Sequence, residues 1–362
     1  MLLFLALAAL VWVVGGRRGY SWQPRLTVIG LLYVLFAALA VLVPEGSGLR
    51  RVIGGSSGEW LAVGGLAGLA AAYAAGLGWI RSRVRPENRP ATPAPTDRLG
   101  EIEVDRYARH IVLREIGGPG QRRLKAARVL VIGAGGLGAP VIQYLAAAGV
   151  GTIGVIDDDK VTLGNLQRQV IHSELTLGQP KVFSARRFVA ALNPHVTLRP
   201  YRRRFEAAIA ADLLADYDLV LDGSDNFETR YLANRACARA GLPLVSGAIA
   251  QWEGQATVYD PARGGPCLEC VFPEPPAPGL VPSCAEAGVV GPLPGVVGSV
   301  MALEAIKLIT GAGTPLRGAM LIFDGLHGES RRIALRRRSD CPVCGSAAPT
   351  HIQARPEEPD VP

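Results

Sequence analysis

The stretch Val129–Gly138, V-L-V-I-G-A-G-G-L-G, constrains this chain more than any other. Four apolar residues pass directly into a glycine cluster, and the amphipathic segment Ala139–Ala148 follows. That order predicts a buried parallel strand, a tight turn and a helix. Gly133 is placed to take the positive φ of the turn, and Gly135 or Gly136 to let backbone approach a phosphate with no Cβ in between. Free N–H groups at the helix start then favour an anion. Alone, the pattern points to a nucleotide without choosing one, and a plain turn in an α/β core is the alternative.

Strand-like and helical runs alternate beyond it. Gly151–Ile156, Val196–Arg199, Leu219–Leu221 and Leu244–Ser246 read as strands, and Lys181–Ala191, Ala207–Leu214 and Glu228–Ala240 as helices. The expected fold class is α/β, a Rossmann-like, mostly parallel sheet with helices on both faces. Gly254–Tyr259 and Met320–Phe323 would extend it. Upstream, Ile102, Tyr107, Ile111 and Leu113 lie at helical spacing in Glu101–Glu115.

Three apolar segments come first: Leu2–Val14, Thr27–Val43 and Leu61–Ile80. At ~1.5 Å per residue the first is short, the second about long enough to span a bilayer, and the third comfortably so. Trp12, Tyr20, Trp22, Trp60 and Trp79 stand near segment ends, where amphipathic rings favour the interface. Gly64 and Gly68 are spaced for close helix packing. The apolar share of 49% fits membrane segments better than a soluble enzyme. Buried soluble helices are the alternative; a cleaved signal peptide fits poorly, because no basic region precedes the first segment.

Charge supplies an orientation. Of the formal +7, +6 falls before residue 91, where nine Arg face three acidic residues. The remaining 29 basic and 28 acidic residues nearly cancel, so no nucleic-acid-binding face is expected. Arg17, Arg18 and Arg25 occupy the first loop and Arg81, Arg83, Arg85 and Arg89 follow the third segment, while Arg50 and Arg51 have Glu45 and Glu59 as partners. The positive-inside bias then predicts a multi-pass protein of the inner (cytoplasmic) membrane, N-terminus outside and globular part inside. The expected organisation is a membrane region with three transmembrane helices over 1–85, a Pro-rich linker over 86–98, a globular domain over 99–350 and a disordered tail over 351–362.

Several residues carry candidate chemistry. Asp157 ends the second strand, where a ribose hydroxyl is usually held; a solvated acidic turn describes Asp158 better. Arg168, in Asn165-Leu166-Gln167-Arg168-Gln169, and Lys181 suit phosphate oxygens, with solvated charges as the alternative. Leu221–Asn226 places Asp222, Asp225 and Asn226 at the end of the fourth strand, suited to Mg²⁺ and its waters or to capping the next helix. Cys267-x-x-Cys270 and Cys341-x-x-Cys344 supply four thiolates for a closed structural Zn²⁺ site, redox or disulfide pairs being the alternatives. Cys284 follows the proline-rich run Phe272–Pro282 and is a nucleophile or an idle thiol. Cys237 reads as core.

Together, R-Y-A-R-H-I-V-L, G-A-G-G-L-G, D-D-D-K-V-T-L-G-N-L-Q-R-Q, G-Q-P-K, D-G-S-D-N, E-A-G-V-V-G-P-L-P-G-V-V-G-S and both CxxC pairs resemble the MoeB/ThiF/HesA branch of the ubiquitin-activating superfamily, from about Glu103 to Gly345. The wording is most similar to molybdopterin-synthase adenylyltransferases. The resemblance implies that the C-terminal glycine carboxylate of a ubiquitin-like sulfur-carrier protein attacks the α-phosphorus of ATP, giving an acyl adenylate and pyrophosphate. It implies that Gly133, Gly135 and Gly136 hold phosphates, Asp157 the ribose, and Gly164, Asn165, Leu166, Gln167, Arg168 and Lys181 the polyphosphate, with Asp225 and Asn226 beside Mg²⁺. It implies that Arg109 reaches into a partner subunit of a homodimer, and that Cys284 stands where relatives carry a thiol. Gly164 replaces a polar residue common before N-L-Q-R. Relatives are usually soluble, and the membrane segments lie outside the resemblance. With 18 residues after Cys344, a separate sulfur donor is expected. Other readings are adenylation of a thiamine-type carrier, an NAD-linked oxidoreductase, and a non-catalytic membrane scaffold; no hydride-transfer constellation favours the oxidoreductase.

Overall fold

The computed structural model describes residues 2–17, 22–44, 47–83, 98–275 and 287–345. They fall into two compact units, Met1–Pro93 and Ala94–Pro362. The linker stretch Pro86–Asp97, Cys284 and the tail 351–362 lie outside the described residues.

All three apolar segments of the first unit are helical: α1 (Leu2–Arg17), α2 (Trp22–Leu42) and α4 (Ser57–Arg83), with a short α3 (Gly48–Ile53) between the last two. Their shared core is aromatic. Phe4, Phe36 and Tyr33 surround Trp60, with ring centroids 5.6–6.0 Å from it. Gly64 allows that approach, because a Cβ there would lie 2.5 Å from the Tyr33 hydroxyl; nothing crowds Gly68. Of the glutamates expected beside Arg50 and Arg51, Glu45 lies outside the described residues, and Glu59 does not pair with Arg50. Arg50 is buried, and its guanidinium donates to the Ala40 carbonyl and to Ser57 Oγ at 2.9 Å, while Glu59 accepts the Ser56 N–H. A carbonyl and a hydroxyl thus accept hydrogen bonds from this buried cation. The expectation of three spans is cut back. Among the described residues Pro24–Leu42 is long and apolar enough to cross a bilayer, and Leu3–Gly16 is shorter.

The second unit is built on one eight-stranded sheet, ordered β3-β2-β1-β4-β5-β6-β7-β8. Its strands are β1 (Arg128–Ile132), β2 (Thr152–Ile156), β3 (Thr197–Tyr201), β4 (Leu219–Asp222), β5 (Leu244–Ala250), β6 (Glu253–Tyr259), β7 (Ala319–Asp324) and β8 (Glu329–Ala334). The first five run parallel and the last three are antiparallel. Glu101–Glu115 is not one helix: α5 (Glu101–Arg106) and α6 (Ala108–Ile111) break at Tyr107. The Tyr107 side chain is buried where a Cβ on Gly149 would stand, and Asn193 donates to its hydroxyl at 2.8 Å. Helices α7 (Gly117–Ala126), α8 (Gly138–Ala148), α9 (Lys181–Leu192), α10 (Ala207–Leu214), α11 (Phe227–Ala240), α12 (Leu268–Val271) and α13 (Pro292–Thr310) complete the unit.

The central strand shows why both faces are covered. Along β1, Val129 and Val131 enter one core with residues of α8, α9 and α13, while Leu130 and Ile132 enter the other with residues of α10 and α11. Successive side chains of a strand point to opposite faces, so a wholly apolar strand requires two layers of helix. The chain adds β2 and β3 on one side of β1, then crosses to add β4 and β5 on the other. Strand order therefore reverses between β1 and β4, and such a switch point opens a crevice at the carboxyl ends.

Helix α13 and strand β8 are among the elements that the sequence did not announce. Helix α13 is apolar and long enough to resemble a membrane span, yet it buries Leu293, Val297, Met301 and Ala305 against the sheet. Strand β8 is exposed along its length, and Arg331 and Arg332 charge this outer edge, a device that discourages pairing with another chain.

Candidate active site

A cleft of ≈ 930 Å³ opens at the carboxyl ends of the parallel strands. Gly133, Gly135, Gly136, Asp157, Arg168, Lys181, Asp225 and Asn226 all line it. Residues separated by 93 positions in sequence thus meet because parallel connections deliver every strand end to one side of the sheet.

The glycine turn has two kinds of glycine. Gly133 has φ +89°, and a Cβ on it would meet the Gly223 backbone at 3.1 Å. Gly138 must also lack a Cβ, because one would sit 1.9 Å from the Gly133 carbonyl oxygen. Gly135 is open: a Cβ there would come no nearer than 3.7 Å to Gln169 Nε2, which leaves backbone available to a ligand. Gly136 is flanked by Pro294 of α13 and by Arg168.

Asp157 is tied to this turn. Its Oδ2 accepts the Ala134 N–H at 2.8 Å and its Oδ1 accepts the Asp159 N–H at 2.7 Å. Burial pushes its carboxyl above the usual carboxylate range, against the opposing pull of Lys181 and both N–H donors. Asp158 is exposed beside Arg204 at 3.2 Å, as a solvated turn residue would be. Lys181 is buried at the start of α9, and its ammonium reaches Asp159 at 2.8 Å. Arg168 donates to Asn165 Oδ1 at 3.2 Å and to the Gly164 carbonyl at 3.3 Å. Gly164, Asn165, Leu166 and Gln167 do not line the cleft themselves; two of them steer the arginine that does.

At the end of β4 the two open assignments separate. Asn226 caps α11, accepting the Thr229 N–H at 2.8 Å. Asp222 is buried and accepts both the N–H and the hydroxyl of Ser224. Asp225 is exposed and makes no side-chain hydrogen bond among the described residues, so it is a carboxylate available to a cation in the cleft. Arg109 is exposed and does not line this cleft. Cys237 lies in the core of α11, where burial pushes its thiol up.

The other four cysteines among the described residues converge. Sγ separations are 3.9 Å for Cys267–Cys270, 3.6 Å for Cys267–Cys341 and 3.4 Å for Cys270–Cys344, and all four residues are buried. Four sulfurs ~2.3 Å from a tetrahedral zinc ion stand ~3.8 Å apart, so the donor set and its spacing fit Zn²⁺. The spacings exceed the ~2.05 Å of a disulfide. The first pair is fixed to α11: Glu269 receives Arg235 at 2.8 Å, and Asn234 Oδ1 accepts the Leu268 N–H at 2.9 Å.

Three further arginines line the cleft: Arg203 and Arg204 after β3, and Arg230 on α11, which donates to the Ser224 carbonyl. The run Arg202-Arg203-Arg204 at a strand end was the available signal.

A doubly wound sheet with a glycine turn, a carboxylate at the end of its second strand and a ring of cations has the architecture of a nucleotide-binding α/β protein. Residues 107–343 match the family model described as ThiF family, and the chain belongs to that family. It is 51% identical over 247 residues to the sulfur carrier protein adenylyltransferase of Thermus thermophilus, covering 67% of this chain and 91% of the relative. It is 49% identical to the SAMP-activating enzyme E1 of Haloferax volcanii, covering 70% and 94%. It is 51% identical to the adenylyltransferase and sulfurtransferase MOCS3 of Mus musculus, covering 72% of this chain and 57% of that longer relative. Its fold is similar to a crystal structure of E. coli MccB at TM-score 0.59 and 24% identity, covering 67% of this chain and 75% of that one.

Proposed function

We propose that this chain adenylates the C-terminal glycine carboxylate of a ubiquitin-like sulfur-carrier protein, most consistently for molybdopterin synthesis. The observation that carries the reading is the convergence of Gly135, Asp157, Arg168, Lys181 and Asp225 on one cleft at the strand-order reversal. The relatives named sulfur carrier protein adenylyltransferase and SAMP-activating enzyme E1, matched across most of their length, support the same class.

The chemistry follows from positions and charges. A carboxylate oxygen of the carrier attacks the α-phosphorus, and the bond from that phosphorus to the bridging oxygen breaks. Its electron pair leaves with pyrophosphate, and the carrier retains AMP as an acyl adenylate. No proton transfer is needed, so positioning and charge stabilisation do the catalysis. The open backbone at Gly135 takes phosphate oxygens and Asp157 takes the ribose hydroxyls. Arg168, aimed by Asn165 and Gly164, and Lys181, backed by Asp159, take up the charge that moves to the leaving group. Asp225 would hold Mg²⁺ through its free carboxylate, the ion supplying further neutralisation of the polyphosphate. Cys267, Cys270, Cys341 and Cys344 would hold Zn²⁺ as a structural cross-link.

The remaining organisation belongs to this reading. Residues 99–350 form the adenylation domain, with 86–98 a linker and 351–362 a tail. The first 85 residues anchor it to the cytoplasmic membrane, supported by the exposure of Leu31, Val34, Leu42, Leu66 and Leu69 on α2 and α4. Arg109, exposed and outside its own cleft, serves the partner's site in a homodimer. Cys284 and a separate sulfur donor are assigned to the later sulfur chemistry.

The test is pyrophosphate exchange into ATP by the full chain in detergent, with and without a purified carrier ending in Gly-Gly. Carrier-dependent exchange that is lost in Asp225→Ala is the expected result. Exchange that ignores the carrier, or survives that substitution, refutes the mechanism.

A further inference from the structure

His172 is buried beside the glycine turn, and nothing in the adenylation chemistry above uses it. Its Nε2 lies 2.9 Å from the Ala134 carbonyl oxygen and its Nδ1 lies 2.8 Å from Ser184 Oγ. A carbonyl cannot donate, so Nε2 carries the hydrogen. Ser184 Oγ is also 3.0 Å from Thr176 Oγ1, whose own hydrogen goes to the Ser173 carbonyl at 2.9 Å. Ser184 therefore gives its one hydrogen to Thr176, and it is the Ala134 carbonyl that fixes a hydrogen on Nε2.

The Ala134 carbonyl belongs to the peptide plane whose N–H is that of Gly135. In a trans peptide the two point in opposite directions. Holding the carbonyl against His172 therefore directs the Gly135 N–H away from the ring, and Gly135 lines the cleft. The preceding plane is pinned in the same manner, because Asp157 takes the Ala134 N–H at 2.8 Å. Two consecutive peptide planes of one turn are thus each held by a side chain, Asp157 from the end of β2 and His172 from the loop before α9.

We propose that His172 is a positioning residue: through the Ala134 carbonyl it sets the direction of the Gly135 N–H, and so the phosphate-binding shape of the glycine turn. The charged groups facing it are Lys181 and Asp157, and burial holds the ring below its usual 6.5. The inference rests on the ATP-dependent reading of the cleft.

The experiment measures ATP binding to the full chain by calorimetry, without carrier. His172→Ala is expected to raise the Kd for ATP about tenfold, the size of one lost buried hydrogen bond. His172→Gln puts an amide N–H near the Nε2 position and is expected to recover affinity to within about threefold. His172→Asn reaches only the Nδ1 side and is expected to bind as weakly as His172→Ala. A merely structural histidine gives no such split between Gln and Asn, so equal affinities for those two overturn the assignment. Unchanged affinity in His172→Ala overturns it as well. Should His172→Ala not fold, judged by circular dichroism, the Gln and Asn pair decides alone. A wild-type chain that binds no ATP removes the adenylation reading itself, a distinguishable outcome that takes this inference with it.

Discussion

The parallel and antiparallel halves of the sheet carry different burdens. Strands β1 to β4 each deliver something to the cleft: the glycine turn, Asp157, the Arg203-Arg204 pair, and Asp225. Strands β6 to β8 contribute few charged groups to it, and their neighbourhood holds the four thiols and α13 instead. The reason is geometric. Parallel strands end on the same side, so their loops crowd one crevice, whereas antiparallel strands alternate their ends. Chemistry therefore concentrates where every strand finishes together, and fastening is left to the other half.

The largest expected effect attacks the parallel half. Lys181→Ala or Arg168→Ala is expected to lower carrier-dependent pyrophosphate exchange by about 10²- to 10³-fold. The fold is expected to survive, because Asp159, the partner left by Lys181, has a side chain 67% exposed and is resolvated. Thermal melts alongside exchange assays check this. A collapse of stability comparable to the collapse of rate would erase the distinction between the halves.

The thiol cluster should behave in the opposite way. Cys341→Ser is expected to release zinc and to cost about 4 kcal/mol of stability, as losses of a structural metal do. Cys341 and Cys267 are 74 positions apart in sequence, so the knot pins the end of the chain to α12 and α11. Metal analysis with denaturant unfolding measures both quantities. ATP affinity of the folded fraction should stay near wild type; less than one zinc per chain in an intact wild-type fold contradicts the site.

Helix α13 blurs the boundary and can be used to measure it. It belongs in sequence to the antiparallel half, yet it packs on α8, the helix that follows the glycine turn. A Cβ on Gly298 would lie 2.4 Å from Pro140 Cγ and 2.7 Å from the Leu137 carbonyl oxygen. Because one of those neighbours is backbone, Gly298→Ala is expected to cost about 1–3 kcal/mol and to weaken ATP binding together with stability. Loss of one without the other would mean that the two halves are mechanically independent.

What was legible in the sequence follows the same division. Parallel strands buried on both faces read as uninterrupted apolar runs, and β1, β2, β4 and β5 stood out for that reason. Their glycine turn and terminal acids were legible because a nucleotide crevice needs particular residue types at fixed strand ends. Strand β8 was missed because E-S-R-R-I-A is an exposed edge with no apolar alternation. Helix α13 was missed because glycines and prolines fill its first turns, where Gly298 is required for contact and Pro294 abuts Gly136. His172 lay in plain view, but its role depends on a hydrogen bond to a backbone carbonyl 38 residues away, which no spacing rule encodes.

The smallest effect concerns Asp157 and turns on sign. Its folded carboxyl titrates above its ordinary value of 3.8, chiefly because burial disfavours the charge. A group whose folded pKa lies above the unfolded one binds more protons when folded, so its contribution to stability falls as pH rises through that acidic window. Above both values the contribution is a constant cost, carried in the ionised state that a ribose hydroxyl requires. Asp157→Asn removes the charge and keeps an oxygen for the Ala134 N–H. Stability near neutral pH is therefore expected to hold within about 1 kcal/mol or rise slightly, while ATP affinity falls. The wild type should lose stability relative to the variant as pH is raised above 3.8, and equilibrium unfolding across acidic pH tests that slope. If the variant is instead strongly destabilised at neutral pH, Asp157 is a fastening group, and the tips of the parallel strands are not reserved for chemistry.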